Sequence, residues 1–85
     1  MLNNRRENRN ACYLRASILI KQGDQRIDAE AFDISKNGMR LVVPNARQVP
    51  DYFMVSIPRR HMMEHVRVVR RGDSELGVVI RELPR

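Results

Sequence analysis

A chain of 85 residues, 42% hydrophobic and 31% charged, has room for one domain with a modest core and excludes a catalytic scaffold joined to a second module. Sixteen Lys and Arg against ten Asp and Glu give a formal net charge of +6, which points to anionic partners. The single cysteine, Cys12, excludes an intramolecular disulfide and a cysteine-based zinc ribbon, and no apolar run reaches the length of a membrane span.

The opening ten residues, MLNNRRENRN, are polar and arginine-rich, without hydrophobic periodicity or a signal-peptide core. They read as a flexible arm, 1–10, ahead of a barrel over 11–85, the whole forming a single domain, 1–85, expected in the reducing cytoplasm. From Cys12 a strict alternation sets in: Cys12, Leu14, Ala16, Ile18 and Ile20 share one face, and Tyr13, Arg15, Ser17 and Lys21 the other, as in a half-buried strand. Gln22-Gly23-Asp24-Gln25 marks a turn, and an extended run from Arg26 to about Asp33 follows. At Asn37-Gly38 a second tight turn is expected, with Gly38 supplying positive φ. Met39, Leu41 and Val43 alternate as far as Pro44; Phe53, Val55 and Ile57 alternate as far as Pro58. A strand from about Val66 to Arg70, the turn Arg71-Gly72-Asp73-Ser74, and the run Leu76, Val78, Ile80 complete the chain. Six short strands with no helical periodicity predict an all-β fold, a small six-stranded antiparallel β-barrel. Closing the sheet protects edges that would otherwise invite aggregation.

Of the cations only Lys21 and Lys36 are lysines, so the charge resides on arginine. A guanidinium offers a planar fork that fits phosphate oxygens or the O6 and N7 acceptors of guanine. The arm contains Arg5-Arg6-Glu7-Asn8-Arg9, an R-x-x-x-R pattern, and one hairpin later comes Asp33-Ile34-Ser35-Lys36-Asn37-Gly38, a D-x-S-x-x-G pattern. Asp33 has acceptors for the guanine N1–H and N2–H₂ donors, Ser35 can donate or accept, and Gly38 leaves room beside a base. The two motifs, in this order, resemble the paired signature of the PilZ family. Met39-Arg40-Leu41 and Glu75-Leu76-Gly77-Val78-Val79-Ile80 are similar to it as well, so the resemblance covers nearly the whole chain.

The resemblance implies a receptor for cyclic di-GMP, with no further cofactor, no metal and no enzyme activity. In it Arg5 and Arg9 grip phosphates and guanine faces, with Arg6 an adjacent candidate. Asp33, Ser35 and Gly38 form the guanine-reading turn, and Arg70 or Arg71 lines the same rim. Binding is expected to order the arm and to alter a surface read by a downstream effector protein.

His61-Met62-Met63-Glu64-His65 also matches H-x-x-E-H, a zinc-protease pattern that requires a helix. Pro58 before it and a strand from Val66 leave little room for one, so strand or loop packing and surface histidines are expected. Cys12, on an apolar face with no base near it in sequence, reads as a buried, inert thiol. Two departures from the family stand out. Many members carry a tryptophan in the fifth strand where this chain has Val69, which affects core packing, and many end in a helix, which leaves the barrel mouth to be covered by a partner or a second subunit. The alternatives are a nucleic-acid-binding small barrel, opposed by the scarcity of aromatics for base stacking, and a PilZ-like interaction module that binds no nucleotide, opposed by the two intact motifs.

Overall fold

Alternating small and branched apolar residues build the wall of the fold, which is seen in a computed structural model describing residues 13–21 and 23–81. Arg5, Arg6, Arg9 and Cys12 lie outside the described residues. The strands are β1 (Leu14–Ile20), β2 (Gln25–Phe32), β3 (Gly38–Val42), β4 (Tyr52–Ile57), β5 (Met62–Arg71) and β6 (Glu75–Ile80). They close into an antiparallel barrel in the order β1-β2-β3-β6-β5-β4, with β4 returning to pair with β1. Among the described residues there is no α-helix, hence none long and apolar enough to cross a membrane; two single 3₁₀ turns, Ala46–Gln48 and Pro58–Arg60, interrupt the loops.

The inward positions follow the alternation read from the sequence. Ile18, Leu41, Val55, Ile57, Val66 and Leu76 are completely buried, and no described polar or charged residue is. Full burial of each such aliphatic side chain is worth roughly 1.5–3 kcal/mol against exposure. Ala16 and Ala29 face each other across β1 and β2, and Ala31 stands opposite Leu14. Small residues on this side offset the larger Phe53, Met39 and Ile57, which is how a narrow barrel is filled by side chains alone.

The connection from β3 to β4 crosses the lower end of the barrel and plugs it with Val43, Ala46 and Val49, all buried. Arg71 clasps this loop. Its Nη1 donates to the carbonyls of Ala46 and Val49, both at 2.6 Å, and its Nη2 to Asp51 Oδ1 at 2.7 Å. Removing the guanidinium strips two carbonyls of a charged donor, so Arg71→Ala is expected to lower stability by about 1–3 kcal/mol in urea unfolding. A loss below about 0.5 kcal/mol, the level of an ordinary surface change, would mean that apolar packing alone holds the loop.

Two expectations about the fifth strand need correction. It begins at Met62, not near Val66, because Pro58–Arg60 forms a 3₁₀ turn capped by His61 in the left-handed region (φ 53), after which the chain extends at once. The H-x-x-E-H segment is therefore strand from Met62 onward: Met62 pairs with Ile57, Met63 with Ser56, Glu64 with Val55 and His65 with Met54. The helix that the zinc pattern requires, with its two histidines one turn apart on one face, is not formed here. Val69, in turn, is not a core position. Alternation from inward Val66 and Val68 sets it outward, where it is 51% exposed, and the β-bulge between Val68 and Arg70 leaves it unpaired and keeps Arg70 on the outer face as well. Valine in place of tryptophan thus changes the outer wall and leaves the interior untouched.

Candidate functional site

The upper end of the barrel carries the Asp33–Gly38 loop. Where β2 ends, Asp33 takes a left-handed backbone (φ 53), which Asp tolerates better than most side chains. Ser35 then closes the turn: its N–H donates to the Gly38 carbonyl at 2.9 Å, and its hydroxyl donates to the same carbonyl at 3.2 Å. The hydroxyl oxygen also accepts from the N–H groups of Asn37 and Gly38, each at 3.2 Å. Its proton and lone pairs are all engaged, so Ser35 builds the turn.

Gly38 is required for a different reason from the one its sequence context suggests. The residues with positive φ near this loop do not include it; Asp33 takes that role. A Cβ on Gly38 would lie 2.2 Å from the Val78 carbonyl oxygen and 3.2 Å from the Val79 Cα. The glycine lets β3 and β6 approach closely, while the Ile80 N–H donates to the Asn37 carbonyl at 2.8 Å and ties the loop to β6.

From this loop a groove of about 400 Å³ runs down the outer face of β3, β6 and β5, lined by Asp33, Ser35, Arg40, Val69, Arg70 and Gly77 among others. Strand register explains its shape. Phe32 pairs with Arg40, Arg40 with Gly77, and Gly77 with Arg70, giving one transverse row of aromatic, cation, gap and cation. A Cβ on Gly77 would approach the Arg70 Cβ to 3.3 Å, so the glycine opens the trough between the two arginines. Arg71 borders the groove as well, but its guanidinium is bound to the β3–β4 loop, which leaves Arg70 as the exposed rim cation.

Arg40, which the reading of the motifs passed over, is the best-connected side chain here. Its Nε donates to Asp33 Oδ2 at 3.3 Å and its Nη1 to Glu75 Oε2 at 3.1 Å. Its guanidinium lies 4.8 Å from the Phe32 ring centroid, and Phe32 packs on Tyr13 at 5.6 Å. All three ionic partners are substantially solvated, so each pair contributes on the order of 0–1 kcal/mol to stability. What the contacts supply is orientation. The outward place of Arg40 between inward Met39 and Leu41 was visible in the alternation; its partners were not.

Asp33 sits on a crest. On its other side lies a depression of about 360 Å³ lined by Leu14, Ala31, Ile34, Arg59 and Arg60, so two further arginines from the Pro58–Arg60 turn face the motif loop. Leu14, the first residue of β1, lines this depression with Asp33, and Arg5, Arg6 and Arg9 precede it in sequence. A third depression, about 390 Å³ on the outer face of β1–β3, sets Asp28 and Glu30 against Arg15. That sign of charge disfavours a phosphate ligand and sets this depression apart from the motif groove.

The family model for the PilZ domain matches residues 3–85, a span that takes in the R-x-x-x-R arm, the D-x-S-x-x-G loop and all six strands. The chain belongs to the PilZ family. Comparison with curated proteins and with solved structures gives no match. In this PilZ domain Asp33, Ser35 and Gly38 share one loop and one groove with Arg40 and Arg70. The three arm arginines lie outside the described residues.

Proposed function

We propose that this PilZ domain is a receptor for cyclic di-GMP, acting as a binding module that signals to a partner protein and catalyses no reaction itself. The observation that carries this reading is the convergence at one barrel end of the Asp33 loop and the entry point of the arginine arm, above a groove walled by Arg40 and Arg70. A ligand with two phosphates and two guanines calls for separated cationic forks and a carboxylate. Arg5, Arg9 and the adjacent Arg6 are assigned to phosphates and guanine faces, Asp33 to the guanine N1–H and N2–H₂ donors, and Ser35 and Gly38 to the shape of the loop. A groove of about 400 Å³ falls in the usual range for small-ligand sites. Ordering of the arm on binding would change the surface around the barrel end, which is the signal a cytoplasmic effector reads.

Titration calorimetry of cyclic di-GMP into the protein, with GTP and a short RNA as controls at moderate salt, tests the reading. Saturable binding of the cyclic dinucleotide alone, at micromolar affinity or tighter, is the expected result. Binding of RNA with a steep salt dependence and no heat with cyclic di-GMP would instead make it a nucleic-acid-binding barrel. The two exposed tyrosines are already engaged, Tyr13 on Phe32 and Tyr52 under Arg81 at 4.8 Å, which leaves few stacking platforms for that role.

A further inference from the structure

We infer that Arg40 is the positioning residue that gives this groove its preference for guanine, acting through Asp33; the inference rests on the cyclic di-GMP reading. The Asp33 side chain is 70% exposed, so packing does not hold its carboxylate in one orientation. Arg40 does. Its Nε donates to Oδ2, while its other edge is anchored by Glu75 on β6 and its flat face by Phe32 at the end of β2. The guanidinium is thereby clamped across three neighbouring strands, with Tyr13 packed behind Phe32.

The donor from Arg40 occupies one of about four acceptor positions of the carboxylate. The remaining positions can take the N1–H and N2–H₂ pair of guanine, two parallel donors aimed at two oxygens. Adenine presents an acceptor at N1 and no N2 amine, so it cannot offer the fixed carboxylate two parallel donors and turns a lone pair toward it, leaving Arg40 as the partner on Oδ2. A site built to receive two donors rejects a ligand that lacks them, but only while its acceptor is held in place. A lysine cannot replace the clamp, because a point charge does not bridge Asp33 and Glu75 as the planar fork does. The Arg40–Glu75 contact joins residues 35 apart in sequence, so this device is absent from either motif taken alone.

The test compares cyclic di-GMP with cyclic di-AMP by titration calorimetry on the full chain and its variants, with thermal unfolding followed in parallel. The unaltered protein should favour cyclic di-GMP. Arg40→Ala should weaken cyclic di-GMP about ten- to a hundredfold, the range of one bidentate contact, while cyclic di-AMP binding shifts by no more than about twofold, so that selectivity collapses. Arg40→Lys and Glu75→Gln should each lose part of the selectivity, and Arg40→Ala combined with Asp33→Ala should bind no more weakly than Asp33→Ala alone. Selectivity preserved in Arg40→Ala, whether binding is unchanged or falls equally for both ligands, overturns the assignment. If Arg40→Ala unfolds, the lysine and glutamine variants decide it on the same readout. An unaltered protein that binds neither dinucleotide removes the receptor reading itself, and this inference with it.

Discussion

Asp33→Ala is expected to weaken cyclic di-GMP binding by about ten- to a hundredfold, the value of one bidentate base contact. The carboxylate is the sole acidic group of the D-x-S-x-x-G loop, and its neighbours there, Ser35 and Gly38, are occupied in holding the turn. Because Asp33 has a left-handed backbone (φ 53), alanine adds a conformational cost of about 1–2 kcal/mol to the loss of the contact. Asp33→Asn separates the two effects: asparagine tolerates that backbone but offers one acceptor and one donor where guanine needs two acceptors. It should therefore bind as poorly as the alanine variant and unfold at the temperature of the unaltered protein. Arg9→Ala should give a loss of similar size. Arg26→Ala is the control, since Arg26 is exposed at the start of β2, next to the turn at Gly23 and about 20 Å of extended chain from Asp33. Equal losses from Asp33, Arg9 and Arg26 variants in calorimetry would mean diffuse electrostatic attraction and no site.

Gly38→Ala is expected to damage the fold itself. The added Cβ would lie 2.2 Å from the carbonyl oxygen of Val78, a backbone atom that cannot rotate away. Either β3 separates from β6 or the Ser35 turn opens, and the bond from the Ile80 N–H to the Asn37 carbonyl goes with it. Forcing such a shift in a packed structure costs roughly 1–3 kcal/mol, at the upper end here because both partners are backbone. In a domain of this size that lowers the midpoint of thermal unfolding by roughly 10–20 °C. The opposite result, an unfolding temperature within about 2 °C of the parent, which is under 1 kcal/mol, would mean that β3 and β6 are less closely apposed than described. Gly23→Ala is a useful comparison: it has positive φ (92) but open space around the would-be Cβ, so its cost is that of the backbone conformation alone.

Much of this was legible in the chain. The Leu14–Ile20 strand, the glycine turn after it and the runs ending at Pro44 and Pro58 were readable because a strand exposed on one side must alternate, whatever its neighbours. The Asp33–Gly38 loop was readable for a local reason too, since serine closing a turn on a nearby carbonyl involves only adjacent residues. The start of β5 was misplaced because the turn at Pro58–Arg60 and the left-handed His61 leave no trace in hydrophobic alternation. Val69 was linked to the core through the family's tryptophan at that place, whereas the alternation from Val66 and Val68 already sets it outward; what the bulge changes, and nothing in the local sequence announces, is the facing of Arg70 and Arg71.

Sequence alone determined which residues face inward, which loop carries the acidic motif, and that the cations are arginines suited to phosphate and guanine. Which of them stand side by side follows from how the strands assemble. Barrel closure places β6 between β3 and β5, so that Arg40 meets Glu75, Gly77 parts Arg40 from Arg70, and Gly38 must lack a side chain. It also commits Arg71 to the β3–β4 loop and leaves Arg70 on the groove. Alternation is a property of each strand by itself, whereas these juxtapositions depend on the register and order of strands distant in sequence, which are set by closing the sheet around one filled core.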